Sequence, residues 1–287
     1  TISSIPQSAG VSSSASFENL VCKMLSYFYN EDKLTELEIA NISKYSENEF
    51  FGKPCGLLDQ CAISFGGVNY IDFKDIKNPT VKKINNIDIS NEYSFVLINT
   101  GSHAALTPYY ASIKQDMENI SSCFNKKVLR EVDINDVINK KEELINKYGN
   151  VAYNRAIHFF NENERVDRAY NALLNSASDK KYLIEFLNCL SESGKSSYYY
   201  LQNCYCESEE EDLPKGIKYC IDLDKDAYVR VHGGGFAGTI LMVINKSNIK
   251  KTKNELIKHF GKDNIKQVNL SKYGTCFLKE EKNGNNK

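Results

Sequence analysis

Residues 9–15 read Ala9-Gly10-Val11-Ser12-Ser13-Ser14-Ala15 and stand at the start of an apolar repeat that predicts a helix from 12 to about 29. Backbone N–H groups at a helix start lack partners within the helix, and the helix dipole adds positive potential, so this position can bind an anion. Glycine permits close backbone approach, and three hydroxyls can donate to phosphate oxygens or ligate a cation. An ordinary serine cap needs one hydroxyl, so the stretch predicts either a phosphate site or a plain helix cap.

Outside this stretch, the chain has the composition of a folded protein. Its 287 residues are 41% hydrophobic and 25% charged, which excludes a disordered or fibrous chain and allows one large or two ordinary domains. The 36 basic residues are matched by 37 acidic residues, for a net charge of −1. A protein that binds nucleic acid by neutralising phosphates needs a basic excess, so no nucleic-acid partner is expected.

Nine cysteines are scattered through apolar segments and form no Cys-x-x-Cys pair, a pattern typical of reduced thiols in a cytoplasmic protein. No apolar run approaches the roughly 18 residues of a membrane span, and the N-terminus has no signal-peptide pattern. We therefore expect a soluble cytoplasmic protein without a membrane partner. The sequence leaves the oligomeric state open.

The apolar periodicity alternates between helical and extended segments, which predicts an α+β fold. Helices are expected over 33–50, from about 56 to 65, over most of 108–200, at 215–222 and at 248–260; strands are expected at 68–73, 93–99, 227–231, 239–245 and 273–279. The tail at 281–287 is expected to be disordered.

A second motif, Lys53-Pro54-Cys55-Gly56-Leu57-Leu58-Asp59-Gln60, places an acidic side chain about one turn into a helix that follows a rigid Pro-x-Gly turn. Such a carboxylate can face a cleft and accept or polarise the proton of a sugar hydroxyl. An acidic residue in a first turn also interacts favourably with the helix dipole without any chemistry. The residues alone leave both interpretations open.

A third motif, His232-Gly233-Gly234-Gly235-Phe236-Ala237-Gly238-Thr239, lies between two predicted strands. A tight hairpin needs one or two glycines, and additional adjacent glycines weaken local structure. The excess indicates a backbone that approaches a ligand or a facing loop closely.

In this order, the three motifs resemble those of the GHMP kinases, a family of sugar and small-alcohol kinases. Residues 9–15 are similar to the family's phosphate loop, and residues 232–239 are similar to its C-terminal glycine motif. Residues 53–60 resemble the galactokinase branch, as do 99–113, 156–160, 192–197 and 201–203, in a clostridial-type form. The resemblance covers essentially residues 1–280. It implies a two-lobed α+β fold, with a partial N-terminal lobe at 1–95 and a C-terminal lobe at 96–280.

The resemblance implies a kinase that uses ATP and Mg²⁺ to phosphorylate galactose at O1. The ATP phosphates would be bound by Gly10, Val11, Ser12, Ser13, Ser14 and Ala15, and Mg²⁺ would be contacted by Ser14 and Glu47. Asp59 would be the catalytic carboxylate. The implied sugar contacts are Gly56, Asp59, Tyr110, Gly234 and Gly235, with Tyr109 as the alternative to Tyr110 because the alignment there can shift by one residue. Gly234 and Gly235 would either approach the sugar or brace the phosphate loop.

The sequence also departs from the family. Galactokinases carry an Arg-x-Asn-x-x-Gly-Glu-His-x-Asp-Tyr motif upstream of the phosphate loop, and these 287 residues do not contain it. We therefore expect a truncated chain that is weakly active or inactive by itself. The alternatives are a kinase for N-acetylgalactosamine or arabinose within the same family, and a non-catalytic sugar and ATP sensor from another class.

Overall fold

A computed structural model of the chain describes residues 5, 11–52, 55–85, 87, 89–101, 106–236 and 238–277. The described residues of Ser12–Asn85 and Leu270–Lys287 form one compact unit, here the first unit. Those of Thr1–Val11 and Asn86–Asn269 form the second unit. These bounds differ from the predicted lobes at 1–95 and 96–280, because the strand that begins at Tyr93 belongs to the sheet of the second unit. The predicted disordered tail lies outside the described residues.

The described part of the first unit consists of helices and one hairpin. Helix α1 is Ser13–Tyr29, α2 is Glu36–Tyr45 followed by a π-helical turn at Ser46–Phe50, and α3 is Leu58–Phe65. Strands β1, Val68–Asp72, and β2, Thr80–Ile84, pair antiparallel. Helix α2 begins with a capping box, in which the Thr35 hydroxyl accepts from the Glu38 N–H and the Glu38 carboxylate accepts from the Thr35 N–H.

Helix α1 buries a different face from the one that carries its apolar repeat. Phe17 is 56% exposed and Phe28 is 65% exposed. The buried residues are smaller or polar: Ala15, Asn19, Cys22 and Ser26. The Asn19 amide donates to the backbone carbonyl of Gln60 in α3 at 2.9 Å. A buried hydrogen bond, rather than an apolar stripe, therefore joins α1 to α3.

The segment from 270 to 277 packs in the first unit without forming a strand. The Thr275 N–H donates to the Ile63 carbonyl at 3.1 Å, and the Gly67 N–H donates to the Ser271 carbonyl at 2.8 Å. Its backbone thus pairs with α3 and with the glycine turn that follows α3. The predicted strand is wrong for 273–277, and the remainder of it, 278–279, lies outside the described residues.

The second unit contains an antiparallel sheet of order β4-β5-β3-β6. Its strands are β3 Tyr93–Asn99, β4 Tyr228–Val231, β5 Thr239–Asn245 and β6 Ile265–Val268. Its helices are α4 Thr107–Ser122, α5 Ile134–Asn139, α6 Lys141–Asn175, α7 Lys180–Ser196 with a π-helical turn at Ser197–Leu201, α8 Asp212–Leu223 and α9 Ile249–Phe260. Helix α6 is interrupted at Gly149, where φ is +88°.

The core of the second unit lies between the sheet and helices α8 and α9. Its fully buried side chains include Val96, Ile98, Leu213, Ile240, Met242, Ile244 and Leu256. A separate apolar cluster joins α4, α5 and α6 around Ile120, Val137 and Leu144.

The α+β class predicted from the sequence is confirmed. Strands β3 and β5 have the predicted bounds, because each is a long apolar run buried in the sheet. Strands β2 and β6 were not predicted, because each buries only one side chain and their sequences carry little apolar signal. Among the described helices, none combines the length and apolar character needed to cross a bilayer.

Candidate functional site

The start of α1 has an unusual backbone. Ser12 adopts a left-handed conformation, with φ 57° and ψ 40°, and its side chain caps no N–H group of the helix. This conformation costs a non-glycine residue about 1–2 kcal/mol, and a plain helix cap does not account for it. Ser12 and Ser13 are half-buried and Ser14 is exposed. Gly10 lies outside the described residues.

The structure brings together the two residues predicted to contact a cation. The Ser14 hydroxyl donates to Glu47 Oε1 at 2.9 Å, although the two residues are 33 positions apart. Glu47 lies in the π-helical turn after α2, a feature frequently found at functional sites. Its carboxylate is buried, with the residue 3% exposed, and Gln60 Nε2 donates to its second oxygen at 3.1 Å. Ser14, Glu47 and Gln60 form the serine–glutamate cluster.

A cavity of about 550 Å³ adjoins the serine–glutamate cluster. Its apolar wall is formed by Phe17, Val21, Leu25, Ile42 and Phe51, and its polar side includes Ser14, Ser46 and Glu47. The exposed apolar face of α1 therefore lines a concave surface next to the hydroxyl of Ser14.

Asp59 lies in the first turn of α3, one residue before Gln60, and its side chain is exposed. Gly56 is also exposed, and a β-carbon there would have no heavy atom within 4 Å. The side-chain oxygen of Asn48 accepts from the Cys55 N–H at 2.8 Å, which fastens the loop before α3 to the π-helical turn. Helix α3 thus turns Gln60 inward to the serine–glutamate cluster and leaves Asp59 open to solvent.

The turn between β4 and β5 runs through left-handed conformations. The φ angles of Gly233, Gly235 and Phe236 are +68°, +83° and +56°. A β-carbon on Gly235 would lie 2.2 Å from the carbonyl oxygen of Asn203, and one on Gly234 would lie 3.0 Å from Cε1 of Tyr110. The close approach predicted from the glycines is present, and a facing segment of the same unit makes it. Residues 233–236 form the glycine turn.

Tyr110 is fixed to the glycine turn. Its hydroxyl donates to the Gly235 carbonyl at 2.8 Å, and its ring lies edge-on to Phe236, with 5.5 Å between the centroids. The neighbouring Tyr109 directs its hydroxyl to Cys206, and partial desolvation is the main cause that raises the pKa of Tyr109. Both rings contact Phe236, with 5.4 Å between the centroids of Tyr109 and Phe236, and the hydroxyl of Tyr110 in addition bonds to a glycine of the turn.

Two amide side chains that carried no predicted role hold these clusters together. Gln60 orients Glu47 in the first unit, and Asn203 Nδ2 donates to the Gly234 carbonyl at 3.0 Å in the second unit. An amide neither titrates nor attacks a substrate, so its residue type gives no chemical signal. The only hint was that both lie in segments with a family resemblance.

Comparison with known proteins shows which class of protein has this fold. Residues 1–67 match the family described as GHMP kinases N terminal domain. The structure is similar to the crystal structure of Lactococcus lactis galactokinase complexed with galactose, with a TM-score of 0.72 and 22% sequence identity, over 94% of this chain and 67% of that chain. The fold is that of a GHMP kinase.

Galactokinases are also among the sequence relatives. The galactokinase of Thermotoga petrophila is 30% identical over 265 residues, which is 91% of this chain and 70% of that protein. The galactokinase of Clostridium tetani is 29% identical over 262 residues, which is 90% of this chain and 63% of that protein. The chain belongs to the galactokinase family. It spans just under two thirds of the length of the Clostridium tetani protein.

Proposed function

We propose that the complete gene product, of which these 287 residues are all or part, transfers the γ-phosphoryl group of ATP to O1 of galactose. The observation that carries this proposal is the hydrogen bond between Ser14 and Glu47, which joins two oxygen groups from distant parts of the sequence at the start of α1. The relatives named galactokinase support the same reaction.

Phosphoryl transfer depends mainly on in-line positioning and on neutralising charge at the transferred group. The N–H groups and hydroxyls at 11–15 would donate to the ATP phosphates, as expected for a helix start. Asp59 would orient the attacking sugar hydroxyl or accept its proton. Its exposed position on α3 leaves the carboxylate accessible to a sugar.

The serine–glutamate cluster fits Mg²⁺. A hydroxyl and a carboxylate are hard oxygen ligands, and Mg²⁺ in kinases is usually bound by one or two carboxylates together with water and substrate phosphates. Ser14 and Glu47 would hold the ion, which neutralises phosphate charge when bound. Gln60 would keep the carboxylate oriented through its bond to Oε2.

The sugar contacts implied by the family resemblance, Gly56, Asp59, Tyr110, Gly234 and Gly235, are part of this proposal, and the support for each comes from its own surroundings. Tyr110 is 39% exposed, so part of its side chain is open to a ligand. The open space at Gly56 leaves its backbone free to approach a substrate.

All nine cysteines are free thiols, which supports the cytoplasm as the location.

Galactose-dependent ADP release by the complete gene product tests this proposal. We expect saturable turnover with galactose and a phosphorylated O1 in the product by ³¹P NMR. A higher kcat/KM for N-acetylgalactosamine or arabinose would show the alternative kinase, and binding of galactose and ATP without ADP release would show a sensor; both results contradict the proposal. The same assay on these 287 residues alone checks the expectation of weak or absent activity.

A charge-removing substitution tests the metal assignment. Glu47→Gln keeps the shape of the side chain but removes the negative charge, and we expect the Mg²⁺ concentration for half-maximal activity to rise about 10–100-fold, the range typical of damaged metal sites. Glu49→Gln is the matched control, because Glu49 is exposed in the same π-helical turn. An unchanged Mg²⁺ dependence in the Glu47 variant, with its fold intact by circular dichroism, would exclude Glu47 as the ligand.

A further inference from the structure

Two buried polar side chains in the second unit, Asn203 and Arg155, connect the glycine turn to the helix that carries Tyr110. Asn203 is 3% exposed and Arg155 is 7% exposed. Burial of polar groups is unfavourable unless they are hydrogen-bonded, so the bonds that these two residues make indicate what they hold in place.

Asn203 holds the glycine turn through both its side chain and its backbone. Its Nδ2 donates to the Gly234 carbonyl at 3.0 Å, and its own carbonyl accepts from the Phe236 N–H at 2.8 Å. The Gly235 carbonyl between them accepts from the Tyr110 hydroxyl. Three consecutive residues of the turn are thereby fixed, and the acceptor for Tyr110 is the middle one.

Arg155, in α6, bonds both to α4 and to the segment just before Asn203. Its Nη1 donates to Ser112 Oγ at 2.7 Å and to Asp116 Oδ2 at 2.6 Å, and both acceptors lie in α4, the helix of Tyr110. Its Nε donates to the Leu201 carbonyl at 3.1 Å. Leu201 stands two residues before Asn203, so one guanidinium links the Tyr110 helix to the segment that fixes the glycine turn.

These contacts close a ring. It runs from the Tyr110 hydroxyl through Gly235 and the glycine turn to Asn203, then through Leu201 and Arg155 back to α4. Arg155 therefore holds the helix that carries the backbone of Tyr110, and Asn203 holds the turn that accepts from the Tyr110 hydroxyl. We propose that Asn203 and Arg155 are positioning residues that place the Tyr110 hydroxyl for the sugar acceptor, an inference that rests on the proposed function.

Asn203→Asp is the first test, because it keeps the size of the side chain but replaces the donor with an oxygen that repels the Gly234 carbonyl. We expect the KM for the sugar to rise about tenfold, as for the loss of one well-placed hydrogen bond, and the KM for ATP to change less than about twofold. Asn188→Asp is the matched control, because Asn188 is exposed in α7.

A double substitution separates positioning from general stability. In a Tyr110→Phe background the sugar-KM effect of Asn203→Asp should shrink to less than about twofold, since the two changes act on one contact. If Asn203 has a purely structural role, Asn203→Asp lowers the midpoint of thermal unfolding, and its effect on the sugar KM adds to that of Tyr110→Phe. That result overturns the inference. Arg155→Lys, which keeps the charge but loses the planar fork, should reproduce the rise in sugar KM and decides the matter if Asn203→Asp does not fold.

The inference and the proposed function can fail separately. If the wild-type complete gene product phosphorylates no sugar, the proposed function fails, and the NMR signals of the Tyr110 ring then decide the inference. Displacement of these signals by Asn203→Asp, but not by Asn188→Asp, supports the positioning role. Unchanged Tyr110 signals overturn it, as does an active enzyme whose sugar KM is unaffected by either substitution.

Discussion

Replacing Asp59 with asparagine should reduce the kcat of sugar phosphorylation about 10²–10⁴-fold, the usual contribution of a positioned acid–base group. Asparagine keeps the shape of the side chain but carries no negative charge and cannot accept the hydroxyl proton. Because Asp59 is exposed in the first turn of α3, its removal should cost stability only the helix-dipole term, about 0.3–1 kcal/mol. ADP release at saturating galactose and thermal unfolding of the same preparation measure the two effects.

The control for this substitution is Asp136→Asn. Asp136 is also exposed in the first turn of a helix, α5, so it loses the same dipole interaction without a proposed catalytic role. We expect full turnover from the Asp136 variant. If the Asp59 variant retains more than about a tenth of the wild-type kcat, well above the range for a lost acid–base group, then Asp59 is a helix-start acid and the catalytic group lies elsewhere.

The helices and strands that are most buried were the ones best predicted from the sequence. The predicted bounds of strands β3 and β5 match the structure at both ends, because most of their side chains are buried and apolar. Strand β6, which buries only one side chain, forms an edge of the sheet through backbone bonds to β3, and no side-chain pattern indicates those bonds. Helix α1 shows the converse, since its extent was predicted from an apolar repeat that the structure leaves exposed.

The candidate site was predictable where residue type implies chemistry. Hydroxyls, a carboxylate and adjacent glycines marked Ser14, Asp59 and the glycine turn, and the family resemblance implied Glu47 and Tyr110. The structure joins Ser14 to Glu47 and Tyr110 to Gly235. The contacts of Gln60 and Asn203 were not predictable, because they depend on long-range packing of amides that have no reactivity of their own. Sequence thus indicates the groups that can react, and only the fold shows which groups orient them.

Gly235→Ala should destabilise the second unit by about 2–5 kcal/mol, combining left-handed strain with an overpacked contact. The added methyl would lie 2.2 Å from the backbone carbonyl oxygen of Asn203, at a φ of +83°. A backbone carbonyl cannot move aside as a flexible side chain can, so the glycine turn has to shift and carry the acceptor of Tyr110 with it. Urea unfolding measures the free energy, and the sugar KM of the folded fraction should rise.

Gly149→Ala separates the two causes. Gly149 has nearly the same backbone angle, φ +88°, but a β-carbon there would meet no atom within 4 Å. Because its ψ is 162°, a combination that essentially only glycine adopts, alanine there should show only backbone strain, about 1–3 kcal/mol, and an unchanged sugar KM. The difference between the two variants measures the close approach of the glycine turn to Asn203. Equal destabilisation in both would mean that backbone angle alone requires glycine at 235 and that the facing segment yields to a methyl group.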